Sequence, residues 1–345
     1  MGIFGGGAKT VSTSAPRIGS MRVQTSAFGA AIPIIYGTTR TSVNLIWYGD
    51  FIATPHTTPT QSGGKGGGGG GYSNTTYTYA AAVAMAFGEG VISAVTNVWK
   101  DKEKTALSTL GLSLFTGTHL QAAWSHLTTN HPGKALTYPG ISYVATASYD
   151  LGDSAEMNNH SFLVNGILDT AQSGGIHGAL IETLLPDLLT NVYYGAGFPA
   201  ANIGAYTGAG SIASYALASG LLLSPAYTEQ RPANDMLTEL ALAVNGGLVW
   251  SEGLLKLIPY CDTIVIGNWA TFTPGAAVQY SLNDDDFLTD GAASPIKVTR
   301  KTQADAYNKV TVEYIDSAND YNIAIVEATD QANIEQYGLR PMEPV

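Results

Sequence analysis

The chain has 345 residues, enough for two or three domains of roughly 100–200 residues each. Only 12% of its residues are charged, about half of the roughly 25% found on average in soluble domains, and 16 basic against 27 acidic residues give a net charge of −11. This composition argues against sequence-independent DNA binding and against a free-standing cytosolic enzyme, and it favours a β-rich protein with large subunit contacts.

Targeting signals and covalent cross-links are not evident in the sequence. Cys261 is the single cysteine, so an intrachain disulfide is excluded, and the start MGIFGGGAKT lacks the basic and apolar segments of a signal peptide. The longest apolar runs, near residues 80–87 and 215–223, are about half of the roughly 20 residues that a bilayer-spanning helix needs. We therefore expect a protein made in a cytoplasm and without a membrane anchor.

The N-terminal half has a β-rich pattern. Residues 1–16 are rich in Gly and Ser and are expected to form an arm, and residues 17–175 are expected to form a β-rich domain. From Tyr77 to Phe87, bulky residues alternate with Thr or Ala, which predicts a strand with one bulky face and one small face, Thr76–Ala86, that a neighbouring subunit could approach. A short helix is predicted at His119–Thr129. The predicted strands are Ser42–Phe51, Thr75–Phe87, Val91–Trp99, Ile141–Tyr149 and His160–Ile167.

A glycine tract interrupts this half. Eight of the eleven residues in the segment 61–71 are glycine, a composition typical of a flexible coil. A phosphate-binding P-loop needs Ser or Thr directly after its Lys and a helix next, whereas here a glycine and a strand pattern follow the lysine. We therefore predict a flexible loop without nucleotide binding, which includes Gly63, Gly64, Lys65, Gly66 and Gly71.

The pattern becomes helical over residues 176–265 and returns to β over residues 266–345. Helices are predicted at Pro186–Tyr194, Ser211–Ser219 and Pro232–Val244, followed by a hairpin that turns at Ser251–Gly253. Strands Ile296–Lys301, Lys309–Ile315 and Asn322–Glu327 and a helix at Asp330–Tyr337 are predicted to complete the chain. A β-rich part, a helical insert and a second β-rich part indicate the α+β class.

Several phrases resemble a known family. IPIIYGTTRTSVNLIWYGDF, EGVISAVTNVWKDKE, DLLTNVYYGAGFP and TRKTQADAYNKVTVEYIDSANDY are similar to segments of putative phage tail proteins. These are the central hub, or host-specificity, proteins at the tail tip of long flexible-tailed phages and gene-transfer agents. The resemblance extends from about Arg17 to Tyr337, nearly the whole chain.

The resemblance implies a fold, a location and partners. It implies a β-rich tail-hub architecture, with β-barrel-like domains at residues 17–175 and 266–345 and a helical α/β insert at 176–265. It implies a structural virion protein that forms a homotrimeric, baseplate-like hub at the tail tip, closes the tail tube and is assembled in the host cytoplasm. The implied partners are distal tail and tail-tube proteins, the tape-measure protein and tail fibres, and DNA would only pass through the lumen during ejection.

Metal and cofactor motifs are not found in the sequence. Asp284, Asp285 and Asp286 form a dense carboxylate cluster, but it lacks the glycine and the late glutamate of a calcium loop, so a solvated turn is favoured. His126 and His131 are five residues apart, which does not fit a zinc pattern. His119 and His126, seven apart, are expected on one helical face with ordinary hydrogen-bond partners, and no metal or cofactor site is predicted.

The sequence patterns that could indicate a catalytic site are equally weak. Cys261 lies at the end of a strand pattern and not at a helix N-terminus, so a structural cysteine is favoured over a nucleophile. Glu89 and Asp101 could form a glycosidase pair, but the sequence does not fix their separation. We predict a non-enzymatic protein, with a tail-associated cell-wall or polysaccharide hydrolase and a secreted carbohydrate-binding protein as alternatives.

Large aromatic residues mark candidate subunit contacts. Rigid aromatic rings are enriched in the centres of protein interfaces, and they are also ordinary core residues. Both interpretations stay open for the six candidates, which are Trp47, Tyr48, Tyr77, Tyr79, Trp99 and Trp124.

Overall fold

The computed structural model describes residues 11–21, 31–61, 71–157, 159–171, 176–275, 280–288, 298–299, 302 and 306–342. The chain divides into two compact units, Met1–Pro274 and Gly275–Val345, called here unit 1 and unit 2. Strands predominate and helices are few, which confirms the β-rich α+β class. None of the helices in the described ranges has the length and apolar character that a bilayer crossing requires.

In the described residues of unit 1 there are seventeen strands and four α-helices. The strands are β1 Val11–Ser14, β2 Ile34–Ile35, β3 Thr38–Ser42, β4 Asn44–Gln61, β5 Gly71–Glu89, β6 Ala94–Lys100, β7 Glu103–Thr105, β8 Ser113–Thr116, β9 Ile141–Gly152, β10 His160–Asn165, β11 Thr170–Ala171, β12 His177–Gly178, β13 Ala226–Tyr227, β14 Gly246–Ser251, β15 Leu254–Pro259, β16 Val265–Gly267 and β17 Ala270–Phe272. The helices are α1 Ser125–Asn130, α2 Ile181–Thr190, α3 Ile212–Ser219 and α4 Ala233–Ala243.

The long strand β5 organises the first part of unit 1. It lies inside a seven-stranded sheet with the order β13-β2-β5-β9-β8, and β1 and β4 also pair with it. β4 and β5 are antiparallel and together form a ribbon that continues to the pair Gln61 and Gly71. Gly71 is therefore the first residue of β5 and not part of a loop, whereas Gly63, Gly64, Lys65 and Gly66 lie outside the described residues.

A second sheet shares its core with the bulky face of β5. This four-stranded sheet has the order β3-β10-β6-β7. Val83, Met85 and Phe87 pack in one buried cluster with residues of the second sheet, and the rings of Phe87 and Phe162 meet edge to face at 5.1 Å. Among the described strands both sheets are open, so the barrel-like form implied by the resemblance is not seen.

The small face of β5 is covered within the chain. Ala82, Ala84 and Ala86 are buried in a separate cluster beneath Trp124 and Leu127. The expectation that this whole face is free for a neighbouring subunit is therefore wrong between Ala82 and Ala86. The physical reason is that methyl side chains leave room for large residues carried on a nearby helix of the same chain.

Helices α2, α3 and α4 form a third core together with β14 and β15. Helix α3 begins where the Ser211 hydroxyl accepts a hydrogen bond from the Ser214 N–H at 3.3 Å, and it ends at Gly220 with φ 71°. Both features are typical helix caps, and they confirm the predicted helix. Helix α4 also begins after Pro232 as predicted.

Two predicted helices have different boundaries. Helix α2 begins at Ile181, five residues before the predicted start, and contains Pro186 in its interior. Burial of the side chains Leu184 and Leu185 offsets the backbone hydrogen bond that the proline cannot donate. Helix α1 begins only at Ser125, so His119 is outside it and does not share a face with His126.

The hairpins follow the prediction more closely. β14 and β15 pair around Glu252 and Gly253, which have φ 58° and 75°, as a type I′ turn requires. In unit 2, β18 Lys309–Asp316 pairs with β19 Asn322–Thr329, and helix α5 Gln331–Tyr337 begins after Asp330. The predicted strand Ile296–Lys301 falls mainly outside the described residues, and the domain bounds 17–175, 176–265 and 266–345 stay predictions.

Candidate functional site

An irregularity in β4 turns one carboxylate out of the sheet. The pairing of β4 with β5 shifts register between Gly49 and Ile52, which marks a β-bulge. Asp50 lies in this bulge with φ 49°, in the left-handed region that few residues other than glycine adopt. A bulge interrupts the alternation of the strand and re-aims side chains, so the bulge sets the direction of the Asp50 side chain.

Helix α1 supplies two imidazoles to the same place. His126 lies in the helix, and His131 follows its last turn, with its backbone N–H donating to the Leu127 carbonyl at 2.8 Å. His126 Nε2 is 2.7 Å from Asp50 Oδ2, and His131 Nε2 is 3.0 Å from both Asp50 oxygens. Asp50, His126 and His131 are called here the His–Asp cluster.

Two tryptophans hold the rings of the His–Asp cluster. The ring centroids of Trp47 and His131 are 5.5 Å apart, and those of Trp124 and His126 are 4.9 Å apart. Trp47 and Trp124 meet each other edge to face at 5.7 Å. Because aromatic rings packed in this way restrict each other, the two imidazoles have defined orientations toward Asp50.

The electrostatics of the His–Asp cluster favour an ionised carboxylate. Hydrogen bonds from His131 and then from His126 lower the pKa of Asp50 below its ordinary value. Within the part of the chain that the structure describes, these residues are the one group of three or more His, Cys, Asp or Glu side chains whose ligating atoms converge, all within 4.8 Å of one another. The cluster therefore offers a cation two imidazole nitrogens and a carboxylate oxygen.

The sequence did not indicate this cluster. The spacing of five between His126 and His131 was rejected as a zinc pattern, and Asp50 is 76 and 81 positions away from them, so spacing rules could not include it. The one local signal is the Gly49-Asp50 pair inside a strand pattern, because a glycine there often marks a bulge. The prediction that the histidines have ordinary hydrogen-bond partners did not foresee a convergent set.

The six aromatic candidates have different environments. Tyr79, Trp99 and Trp124 are buried inside the chain, and the Arg40 guanidinium stacks 4.1 Å from the ring of Trp99. Trp47 and Tyr77 are half-buried, and Tyr48 is 55% exposed. A role in subunit contacts stays a prediction, and Tyr48 has the accessibility that such a role needs.

Among the described residues, those considered for catalysis or calcium binding do not belong to a convergent group of three or more His, Cys, Asp or Glu side chains. The Cys261 Sγ donates to the Thr263 carbonyl at 3.4 Å, after the end of β15. Glu89 ends β5 in the seven-stranded sheet, and Asp101 follows β6 in the other sheet. The segment Asp284–Asp286 is a single turn of 3-10 helix, as the solvated-turn interpretation predicts.

Known proteins share this fold and one part of the sequence. A chain in a solved structure described as "Virion of native gene transfer agent (GTA) particle", one of ten similar solved chains, matches 98% of this chain and is itself covered to 73%. The TM-score is 0.54 and the sequence identity is 19%, which shows a common fold. No curated protein matches the sequence. Residues 232–342 match the family described as "Putative phage tail protein", which confirms the resemblance that the sequence indicated.

Proposed function

We propose that this chain is a structural protein of a phage-like virion, which forms a homotrimeric hub at the tail tip and closes the tail tube. The observation that carries the proposal is the fold that it shares, over 98% of its length, with a chain of a gene transfer agent virion. The match of residues 232–342 to the putative phage tail protein family supports it independently, because it comes from sequence.

The hairpin of unit 2 supports a role in assembly. Val312, Tyr314, Ile323, Ile325 and Val326 are all exposed on β18 and β19. An isolated two-stranded hairpin is marginally stable in water, and large exposed apolar side chains typically mark interaction surfaces. A second copy of this chain is the proposed occupant, since a closed ring requires contacts between unlike surfaces of identical subunits.

The outer edge of the β4–β5 ribbon favours contacts through side chains. Among the described strands β4 pairs only with β5, and it carries Pro55 and Pro59. Proline lacks an N–H, so it weakens any further strand that would add to this edge. The exposed side chains of Tyr48 and Ile52 on β4 are better suited to packing against a neighbouring subunit.

The net charge fits a conduit for DNA. Each copy has a formal charge of −11, and a ring multiplies this surplus around one axis. An acidic inner wall would repel phosphate, so DNA would pass during ejection without being held. In this role the hub would contact distal tail and tail-tube proteins, the tape-measure protein and tail fibres, after assembly in the host cytoplasm.

Electron microscopy of particles labelled with a specific antibody fragment tests the location. We expect label at the distal end of the tail with three-fold symmetry, and we expect tail assembly to fail when the gene is deleted. Label along the tail or on the head, or complete tails without the protein, would overturn the proposal.

A pair of variants tests the proposed contact in unit 2. Ile325→Glu places a charge on the exposed surface of β19 and should prevent incorporation into particles. Glu313→Gln changes the cross-strand partner of Ile325 without adding apolar area or charge repulsion and serves as the control. Normal incorporation of Ile325→Glu would show that the face of the hairpin that carries Ile323 and Ile325 is not a subunit contact.

A further inference from the structure

We propose that the His–Asp cluster is a binding site for a divalent transition-metal ion of the zinc type, with Asp50, His126 and His131 as its three protein ligands. Imidazole nitrogen and carboxylate oxygen are the ligand types that zinc binds alongside thiolate. Three protein ligands would leave one coordination position for water or a group from another molecule. This proposal does not depend on the role of the chain in a virion.

The ligand spacing is close to what such an ion needs. In a tetrahedral site with bonds of about 2.0–2.1 Å, ligand atoms lie roughly 3.3 Å apart. The Nε2 atoms of His126 and His131 are now 2.7 Å and 3.0 Å from the nearest Asp50 oxygens. The two contacts with Asp50 would open by about 0.3–0.6 Å, and the ligand atoms of the two histidines, now within 4.8 Å of each other, would move to roughly 3.3 Å to bind the ion.

The surrounding residues restrict the ligands before any ion arrives. Trp47 packs at 5.5 Å from the His131 ring and Trp124 at 4.9 Å from the His126 ring. Both imidazoles already present Nε2 to the same carboxylate, and the β-bulge fixes the backbone of that carboxylate at φ 49°. Ligands held in this way lose little conformational freedom on binding, so the site is preorganised.

One neighbour must change its orientation. The Asn130 side-chain nitrogen lies 3.1 Å from His126 Nδ1 and 3.2 Å from the His126 carbonyl, so the amide donates to the ring. A metal at Nε2 requires the proton on Nδ1, and that proton then needs an acceptor. The exposed Asn130 side chain can rotate its oxygen toward the ring, and an aspartate at this position would be a better acceptor.

The consequence of binding would be a connection between distant parts of the chain. Asp50 belongs to the β4–β5 ribbon, whereas both histidines belong to the α1 segment that covers Ala82, Ala84 and Ala86. An ion bound to all three residues would cross-link the α1 segment to the β4–β5 ribbon. Metal binding should therefore raise the melting temperature, and the increase should grow with the logarithm of the free ion concentration above Kd, because an ion that binds only the folded state stabilises it.

The test uses the full-length, untagged chain, because a polyhistidine tag binds the same ions. After treatment with a chelator and dialysis, zinc chloride is titrated by calorimetry, and bound zinc is counted by mass spectrometry. We expect one equivalent per chain, with affinity reduced in His131→Gln by more than the roughly 10- to 100-fold typical of losing an outer-shell partner. Asn130→Asp should bind more tightly than the wild type.

His56→Gln is the matched control, because His56 is an exposed histidine outside the His–Asp cluster whose Nε2 lies 2.8 Å from the hydroxyl of the ribbon residue Thr78. It should bind zinc like the wild type. Absence of saturable binding by the wild type, or binding that survives His131→Gln, would overturn the proposal. If His131→Gln does not fold, cobalt(II) added to the wild type decides the question. Intense visible bands of a four-coordinate ion support the site, and the weak spectrum of the hydrated ion refutes it.

Discussion

Replacing Trp124 by alanine tests whether this residue belongs to the fold of a single chain. The side chain of Trp124 is 6% exposed and packs on Ala82, Ala84 and Ala86, which are too small to fill the space that it would leave. Replacing a buried tryptophan by alanine typically costs about 3–5 kcal/mol, the sum of lost burial and a remaining cavity. Because whole domains have only about 5–15 kcal/mol of stability, the loss should be large in any unfolding experiment.

Urea unfolding of the isolated chain, followed by far-UV circular dichroism, measures this loss. Circular dichroism is preferable to fluorescence because the substitution removes a tryptophan. Trp269→Ala is the control, since that side chain is 97% exposed and its removal should change stability by no more than about 0.5 kcal/mol. A wild-type urea midpoint for Trp124→Ala, together with impaired subunit association, would refute the intrachain role and return Trp124 to the interface candidates.

Three further predictions concern stability, pH and activity. Asp187→Ala should lower the free energy of unfolding by about 1–3 kcal/mol, because the hydroxyl of buried Tyr36 loses the acceptor that lies 2.7 Å away. The control is Asp153→Ala at the surface. A loss of unfolding free energy no larger than that of the control would contradict the prediction. Burial raises the pKa of Tyr206 to about 12 from 10.0, so its neutral form stabilises the fold fully below pH 10, and this contribution disappears as the pH rises through 12. Between pH 10 and pH 12 the urea midpoint of unfolding should fall less steeply in Tyr206→Phe than in the wild type. Identical slopes in the two proteins would contradict this prediction. Zymography should detect no clearing of peptidoglycan or capsule, whereas clearing that survives Cys261→Ala but disappears when an acidic residue is replaced would revive the glycosidase interpretation.

The longer strands and the helices were predicted because alternation, helical periodicity and turn residues are visible in short stretches of sequence. The alternation from Tyr77 to Phe87 predicted the central part of β5, and the helix predicted at Ser211–Ser219 agrees with α3. Pro186 misled the prediction of α2, because proline favours the first turn of a helix and tertiary burial of leucines here carries the helix through it. Local preference was overridden by packing that the sequence alone does not show.

The parts that sequence could not supply depend on contacts between distant residues. A strand face made of alanines indicates that another part of the structure packs closely against it. The sequence does not show whether that part is another subunit or Trp124 of the same chain. The His–Asp cluster is similar, since its geometry depends on a bulge at Asp50 and on a helix that begins 75 residues later, at Ser125. Neither feature has a fixed sequence spacing.

The β4–β5 ribbon has a mechanical consequence. Strand β4 has 18 residues and is about 60 Å long. In the outer stretch of the ribbon, from Ala53 toward Gln61 on β4 and from Tyr77 back toward Gly71 on β5, the described side chains are exposed or only half-buried. Amide hydrogens near Val83 should therefore exchange only when the core opens, whereas those toward Gln61 should exchange by fraying from the end. A molecule that binds the outer stretch would slow exchange there and leave exchange near Val83 unchanged, so amide exchange along the ribbon would report where a partner makes contact.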